Sequence, residues 1–159
     1  MSTQAPFRTT PEIQTWVALL RAHATSIRRF NAELVSEHGL TLNDYEVLLR
    51  LARAPERRMR RVDLAQQVLL TASGITRLLD GLEGHGYVAR AACDSDRRVV
   101  YAVLTDEGAA KLREASSTHV VQIEDYFTSR YDVAELSALA ALLGRIDAGA
   151  DAGLDCTGD

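Results

Sequence analysis

The fold of this chain is indicated most strongly by residues 71–84, Thr71-Ala-Ser-Gly-Ile-Thr-Arg-Leu-Leu-Asp-Gly-Leu-Glu-Gly84. Its large apolar side chains recur at three- and four-residue steps, which predicts an amphipathic helix of about fifteen residues. These side chains are Ile75, Leu78, Leu79 and Leu82. Thr71 is a residue type favoured immediately before a first helical turn, and Gly84-His85-Gly86 is typical of a helix end. The outer side of the first turn then carries small hydroxyl residues and one arginine.

A shorter helix is predicted just before this one. It runs from about Val62 to Val68, with Val62, Ala65 and Val68 directed inward. An arginine-rich turn, Pro55–Arg61, precedes it, and a brief turn at Leu69–Leu70 follows it. Two short helices that meet at such a turn form a helix-turn-helix.

The segment after the longer helix changes its period. Tyr87–Arg90 and Val99–Leu104 are rich in β-branched and aromatic residues, and they flank the polar stretch Cys93–Arg98. This pattern predicts a β-hairpin with a charged tip, which is called a wing when it follows a helix-turn-helix. The predicted fold is therefore mainly α with a small β-wing.

Four further helical patterns flank this central region. They run from about Glu12 to Glu37, from Thr41 to the residue before Pro55, from Thr105 to about Arg130, and from about Asp132 to Asp147. Thr41 and Asp44 have the spacing of a capping box in which Asp replaces the usual Glu. The small and acidic residues 148–159 predict a flexible tail.

Charge is distributed unevenly along the 159 residues. The net charge is −4, yet the segment from Arg50 to Arg98 holds ten arginines against six acidic residues, which leaves −8 for the rest. The overall composition is that of one ordinary soluble domain. No apolar run approaches the roughly 20 residues that span a bilayer, and the first residues lack the order of a signal peptide, so we expect a cytoplasmic protein without a membrane partner.

Motifs of enzyme active sites are missing from the sequence. There is no glycine-rich phosphate loop, no GxSxG and no HExxH. Cys93 and Cys156 stand far apart without metal-ligand spacing, so neither a disulfide framework nor a zinc finger is indicated. The sequence therefore favours a binding protein over an enzyme.

The helix-turn-helix and the wing carry side chains suited to double-stranded DNA. The hydroxyls of Thr71, Ser73 and Thr76 suit phosphates or base edges in the major groove, and Arg77 can reach a guanine or a phosphate. Arg97 and Arg98 at the wing tip suit the minor groove, and Asp96 can orient one guanidinium by a bidentate pair. For Arg60 and Arg61, phosphate contact and a merely solvated basic turn remain open.

Two stretches resemble one known family. Asp96-Arg-Arg-Val-Val-Tyr-Ala-Val-Leu-Thr105, followed by Asp106-Glu-Gly108, resembles the wing and the next helix start of the MarR family of bacterial winged-helix transcription regulators. Ser73–Val88 resembles that family's recognition helix and the strand after it. The order of elements extends the resemblance from Glu12 to Asp147.

The resemblance implies an intertwined homodimer on a palindromic operator, most often acting as a repressor. In such a single unit of residues 1–159, residues 12–40 and 106–147 form the helical dimerisation region, and residues 41–105 form the DNA-binding lobe. It also implies that Arg98 is the minor-groove arginine. A protein-interaction module that keeps the fold but binds no DNA is the alternative outside this class, and only the net acidity supports it.

The resemblance also implies a cleft for a small effector, whose identity the sequence does not give. Its candidate lining is Trp16, Phe30, Tyr45 and His119. Aromatic residues at helical spacing are more often structural, so we favour ordinary packing for them. No cofactor is expected to be required.

Metal or redox sensing is a further alternative within the same fold. Glu37, His38 and His119 partly resemble the ligands of zinc-sensing members, but Ile123 stands where those members carry another histidine. Cys93 near the wing arginines is a candidate redox switch, although peroxide-sensing members carry their cysteine in the first helix.

Overall fold

A computed structural model describes residues 10–68, 70–92 and 99–147. The chain forms two compact units, one ending at Ser117 and the other beginning at Thr118. Nine helices and strands of these described residues carry labels. They are α1 (Pro11–His38), α2 (Leu42–Arg53), β1 (Arg58–Arg60), α3 (Arg61–Gln67), α4 (Ala72–Gly84), β2 (Val88–Ala92), β3 (Val100–Leu104), α5 (Asp106–Tyr126) and α6 (Val133–Asp147).

The predicted boundary between the first two helices is confirmed. α1 ends at Gly39, whose φ of 67° is the left-handed conformation that glycine adopts without strain. α2 begins with the predicted capping box: the Asp44 amide donates to Thr41 Oγ1 at 3.1 Å, and the Thr41 amide donates to Asp44 Oδ2 at 2.8 Å. Asn31 Oδ1 accepts a bond from the Leu42 amide at 3.0 Å and so ties α1 to the start of α2.

The interpretation of Pro55–Arg61 as only a turn is wrong. Its first three residues form a short 3₁₀ segment, and Arg58–Arg60 is a strand that pairs antiparallel with β3. Glu56 and Arg57 take left-handed φ angles of 52° and 53°. This reversal turns the chain so that β1 covers the open edge of β3, which gives a three-stranded sheet in the order β1-β3-β2.

The core of the first unit lies beneath α2, α3, α4 and the sheet. Its fully buried large side chains are Leu34, Val47, Leu48, Leu51, Leu64 and Ile75. Val62 was predicted to point inward, but it is 60% exposed. The reason is helical geometry: Leu64 defines the inner face of α3, and a residue two positions away lies about 200° around the helix axis.

The helices at the end of the chain are slightly shorter than predicted. α5 ends at Tyr126, and a 3₁₀ segment, Thr128–Arg130, replaces its expected last turn. α6 begins as expected, because Asp132 Oδ1 accepts from the Glu135 amide at 2.8 Å. The predicted tail, residues 148–159, lies outside the described residues. None of the described helices is long and apolar enough to cross a membrane.

Candidate nucleic-acid interface

The first turn of α4 begins with a hydrogen-bonded threonine cap. Thr71 Oγ1 accepts a hydrogen bond from the Gly74 amide at 3.1 Å and lies 3.2 Å from Ser73 Oγ. Thr71 and Ser73 are both exposed. Thr76 is half-buried, and its hydroxyl donates to the Ala72 carbonyl at 2.8 Å. The Thr71 oxygen is thus engaged by the Gly74 amide and the Thr76 hydrogen by the Ala72 carbonyl, while the Thr71 and Ser73 side chains are accessible to solvent.

One face of α4 anchors the helix and leaves the opposite face free. Ile75, Leu79 and Leu82 are almost completely buried, as the apolar spacing predicts, and Arg77 on the other side is exposed. Within the part of the chain that the structure describes, no carboxylate lies within ion-pairing distance of the Arg77 guanidinium. Arg77 is thus a cation available to an external anion.

Ion pairs among three charged side chains connect α4 to the sheet. Arg90 on β2 donates through Nε to Glu83 at 2.8 Å and also pairs with Asp80. Arg90 is therefore engaged by two carboxylates of α4. Asp80 and Glu83 were missed as its partners, although their three-residue spacing places both carboxylates on one face of a helix.

The arginine-rich segment separates into paired and unpaired side chains. Arg57 pairs with Asp106 at 3.1 Å, Arg58 with Glu56 at 2.6 Å, and Arg60 with Asp63 at 2.9 Å. The Arg58 guanidinium also lies 5.2 Å from the centre of the Tyr101 ring. Arg61, at the first position of α3, has no ion-pair partner among the described carboxylates. Of the two adjacent candidates, Arg60 is therefore already ion-paired within the protein, whereas Arg61 has no partner among the described carboxylates.

The predicted wing is observed up to its tip. β2 and β3 pair antiparallel from Val88 opposite Leu104 to Ala92 opposite Val100. Its tip candidates Asp96, Arg97 and Arg98, together with Cys93, lie outside the described residues. Their assigned roles stay predictions.

The four candidate effector-cleft residues have different surroundings. Tyr45 is buried, and its hydroxyl lies 3.1 Å from Ser116 Oγ on α5. Trp16 is 54% exposed on α1, and Phe30 is half-buried. His119 is buried in the unit that begins at Thr118. The effector role of these residues stays a prediction.

The candidate zinc ligands do not form a recognisable metal centre. His38 Nδ1 lies 3.4 Å from Glu114 Oε1, and Glu37 next to it is exposed. Among the residues that the structure describes, no three His, Cys, Asp or Glu side chains are grouped in a way that could hold a metal ion. The described geometry gives zinc sensing no support.

Comparison with known proteins now decides the family. A model described as MarR family matches residues 40–100, from just before α2 to the first residue of β3. The HTH-type transcriptional regulator PecS of Dickeya dadantii (strain 3937) is 31% identical over 117 residues, which make up 72% of this chain and 69% of PecS. The chain belongs to the MarR family.

Other members show the same relationship. The HTH-type transcriptional repressor YetL of Bacillus subtilis (strain 168) is 34% identical over 85 residues, which are 54% of this chain and about half, 51%, of YetL. Sco3205, a MarR family transcriptional regulator from Streptomyces coelicolor solved in complex with DNA, has a TM-score of 0.83 and 28% identity, covering 92% of each chain. The predicted winged helix-turn-helix fold and the class of transcriptional regulators are thereby confirmed.

Proposed function

We propose that this MarR-family chain binds double-stranded DNA as a homodimer and represses transcription from a palindromic operator. The observation that carries the proposal is the exposed first turn of α4. There Arg77 is exposed without an ion-pair partner among the described carboxylates, and the neighbouring Thr71 and Ser73 are exposed as well. An α-helix has the diameter to enter a major groove, where arginine pairs with guanine or phosphate.

Ion pairs within the lobe determine which arginine side chains remain available to contact DNA. A guanidinium already paired with a carboxylate gains less from a phosphate than one without such a partner. Of the candidate DNA contacts, Arg61 and Arg77 have no ion-pair partner among the described carboxylates, whereas Arg60 is engaged by Asp63. We therefore assign phosphate or base contact to Arg61 and Arg77 before Arg60. Arg97 and Arg98 complete the proposed interface in the minor groove.

Exposed apolar side chains support the homodimer. On α1, the large apolar residues Ile13, Trp16 and Leu20 are about half exposed. On α6, Val133, Leu142 and Ile146 are also exposed. Soluble monomers rarely leave such stripes in contact with water, so a second copy of the chain is the proposed cover. Two symmetric recognition helices then require half-sites about one helical turn apart.

Regulation by a small ligand is part of the same proposal. A ligand that prefers the dimer with its lobes at the wrong spacing lowers operator affinity by that difference in preference. Regulation of this kind requires contacts between the lobe and the helices that flank it. The Tyr45–Ser116 contact is one of these, because it connects α2 of the lobe to α5. YetL is named as a repressor, which favours repression over activation for this chain.

Selection from a random duplex library tests the proposal. We expect the purified full chain to enrich one palindromic sequence, and genome-wide mapping to find that sequence next to the regulated genes. Arg77→Ala should weaken binding to that duplex more than binding to random DNA if Arg77 reads a base, and equally if it anchors a phosphate. Failure to enrich any duplex would instead favour an interaction module that does not bind DNA.

A further inference from the structure

A short junction, residues 39–41, connects α1 to the DNA-binding lobe. Gly39 turns the chain in the left-handed conformation, and its amide donates to the Val35 carbonyl at 3.0 Å. Leu40, the next residue, and Leu34 of α1 are both buried in the core. The chain therefore reverses its direction within three residues, so that α2 begins beside the last turns of α1.

A side chain of α1 completes the first turn of α2. The amides of a first helical turn have no partner within their own helix. Thr41 Oγ1 accepts from the Asp44 amide, and Asn31 Oδ1 on α1 accepts from the Leu42 amide at 3.0 Å. Asn31 is half-buried and lies two helical turns before the end of α1. This hydrogen bond thus ties the start of the lobe to a helix that lies outside the lobe.

The same turn of α2 is also attached to α5 and to the core beneath α4. Tyr45, three residues after Leu42, has its hydroxyl oxygen 3.1 Å from Ser116 Oγ. Leu48, one turn further along α2, is fully buried in the core that also contains Ile75 of α4. Because close-packed cores transmit displacements, a rotation of α2 moves α4 with it.

α1 extends from this attachment to the proposed subunit contact. Trp16 and Leu20 are about half exposed on α1. Asn31 lies 15 residues after Trp16, which is about 22 Å along a helix. Since both copies of the proposed homodimer contain this helix, the angle between α1 and α2 sets the separation of the two α4 helices. A palindromic operator with a fixed half-site spacing accepts a narrow range of that separation.

We propose that Asn31 is a positioning residue for operator binding, because its hydrogen bond to the Leu42 amide holds the lobe at the angle that matches the half-site spacing. This inference rests on the proposed binding of DNA by a homodimer. Asn31 acts through α2 and α4 and does not itself contact DNA. Loss of the bond leaves the DNA contacts of each lobe intact and widens the range of spacings that the dimer accepts.

Three substitutions separate this hydrogen bond from the polarity of the side chain. The side chain in Asn31→Ser is too short to reach the Leu42 amide, whereas Asn31→Asp keeps an accepting oxygen at the same reach. The matched control, Asn43→Ser, makes the same chemical change at an exposed position in the first turn of α2. Thermal unfolding and sedimentation equilibrium measure the fraction of folded dimer, to which each affinity is referred.

Duplexes with altered spacers give the decisive comparison. Each protein is titrated against the selected duplex and against duplexes whose half-sites are one base pair closer or farther apart. The wild type, Asn31→Asp and Asn43→Ser should share one preference for the selected spacing. In Asn31→Ser this preference should fall by about threefold to tenfold, which corresponds to one lost hydrogen bond. An unchanged preference, or an equal loss of affinity for every duplex, would overturn the proposal.

A second variant covers the case in which Asn31→Ser does not fold as a dimer. Asn31→Gln displaces the accepting oxygen by one methylene group while keeping the amide chemistry. It should also reduce the preference for the selected spacing. Loss of folding in both variants would show that the residue is merely structural and would overturn the proposal.

A measurement without DNA distinguishes failure of this inference from failure of the proposed function. A nitroxide label is attached at Gly84→Cys on α4, where a new Cβ meets no atom within 4 Å, after Cys93→Ser and Cys156→Ser remove the native cysteines. Pulsed electron paramagnetic resonance gives the distance between the two labels of a dimer. Asn31→Ser should broaden the distance distribution, and Asn31→Asp should keep the wild-type width.

The distance measurement has two contrary outcomes. Identical distributions in the wild type, Asn31→Ser and Asn31→Asp would overturn the positioning role while leaving the homodimer in place. A wild type that shows no distance between labels would instead contradict the homodimer, and this inference would fall with it.

Discussion

Gly108 lies where the wing connects to α5, and its lack of a side chain allows the backbone there to pack closely. The Thr105 amide donates to the Tyr87 carbonyl at 3.1 Å, and the Thr105 hydroxyl donates to the Gly86 carbonyl at 2.6 Å. These bonds bring the first turn of α5 against the start of β2. A Cβ atom at position 108 would overlap the Tyr87 carbonyl oxygen. The glycine in Asp106-Glu-Gly108 is therefore required by close backbone approach.

Gly108→Ala is expected to destabilise the protein by roughly 1–3 kcal/mol, because the backbone must move to accept the methyl group. Urea denaturation measures this change. The control is Gly81→Ala in α4, where a new Cβ would meet no atom within 4 Å. Since alanine has a higher helix propensity than glycine, that change should raise stability by up to about 1 kcal/mol. Equal effects of the two substitutions would contradict the close approach.

The ion pairs of the arginines depend on contacts that local sequence rules do not predict. The Arg60–Asp63 pair joins residues only three apart, but Arg60 ends β1 and lies outside α3, so helical spacing does not predict the pair. The Arg57–Asp106 pair joins residues 49 positions apart, so no local rule finds it. Because the free cations are those left over after such pairs form, the sequence could nominate Arg60 and Arg61 together but could not separate them.

At the scale of elements, α4 was predictable because local and long-range signals agree. Its apolar spacing, its threonine cap and its glycine-rich end all predict one helix, and the observed helix spans 13 residues. β1 was not predictable. Arg58-Met-Arg60 has no strand-like composition, and it becomes a strand because the edge of β3 offers unpaired backbone groups.

The Thr71 cap leads to a test on α4. Thr71→Val should lower the free energy of unfolding by about 1 kcal/mol, because the hydroxyl that accepts from the Gly74 amide is lost. Thr71→Ser should keep most of the stability, since serine caps helices equally well. Ser73→Ala is the neighbouring control and should change stability by less than about 0.5 kcal/mol. Thermal or chemical unfolding of all three variants provides the comparison, and a fully stable Thr71→Val would show that the cap is not needed.

Across the chain, positive charge is concentrated in one segment, and exposed large apolar side chains lie on α1 and α6. The net charge of −4 alone argues against a nucleic-acid partner, yet the segment from Arg50 to Arg98 is positive. In the structure five of these arginines are paired with carboxylates, and among the described residues of the segment the arginines without such a partner are Arg53, Arg61 and Arg77. The family, the order of the helices and the two strands of the wing could be read from the sequence. The available side chains could not, because their availability depends on tertiary contacts.

Disruption of the apolar face of α6 tests the proposed dimer. Ile146 is 66% exposed, so Ile146→Glu should leave each folded chain intact while placing a charge in the proposed subunit contact. Sedimentation equilibrium should show the wild type at twice the mass of the chain and the variant shifted toward the monomer. Val62→Glu, on an exposed position of α3, is the matched control and should remain dimeric. A monomeric wild type would contradict the proposed assembly.

DNA binding through Arg61 and Arg77 is tested by the salt dependence of DNA affinity, measured by fluorescence anisotropy with the selected duplex. Wild-type affinity should fall steeply as salt rises, because each contacted phosphate releases counterions. Arg61→Ala should reduce the slope of log affinity against log salt by about one, as should Arg77→Ala if it contacts a phosphate. Arg113→Ala should leave the slope unchanged. An affinity that is insensitive to salt and to both Arg61→Ala and Arg77→Ala would contradict the proposed DNA binding through these two arginines.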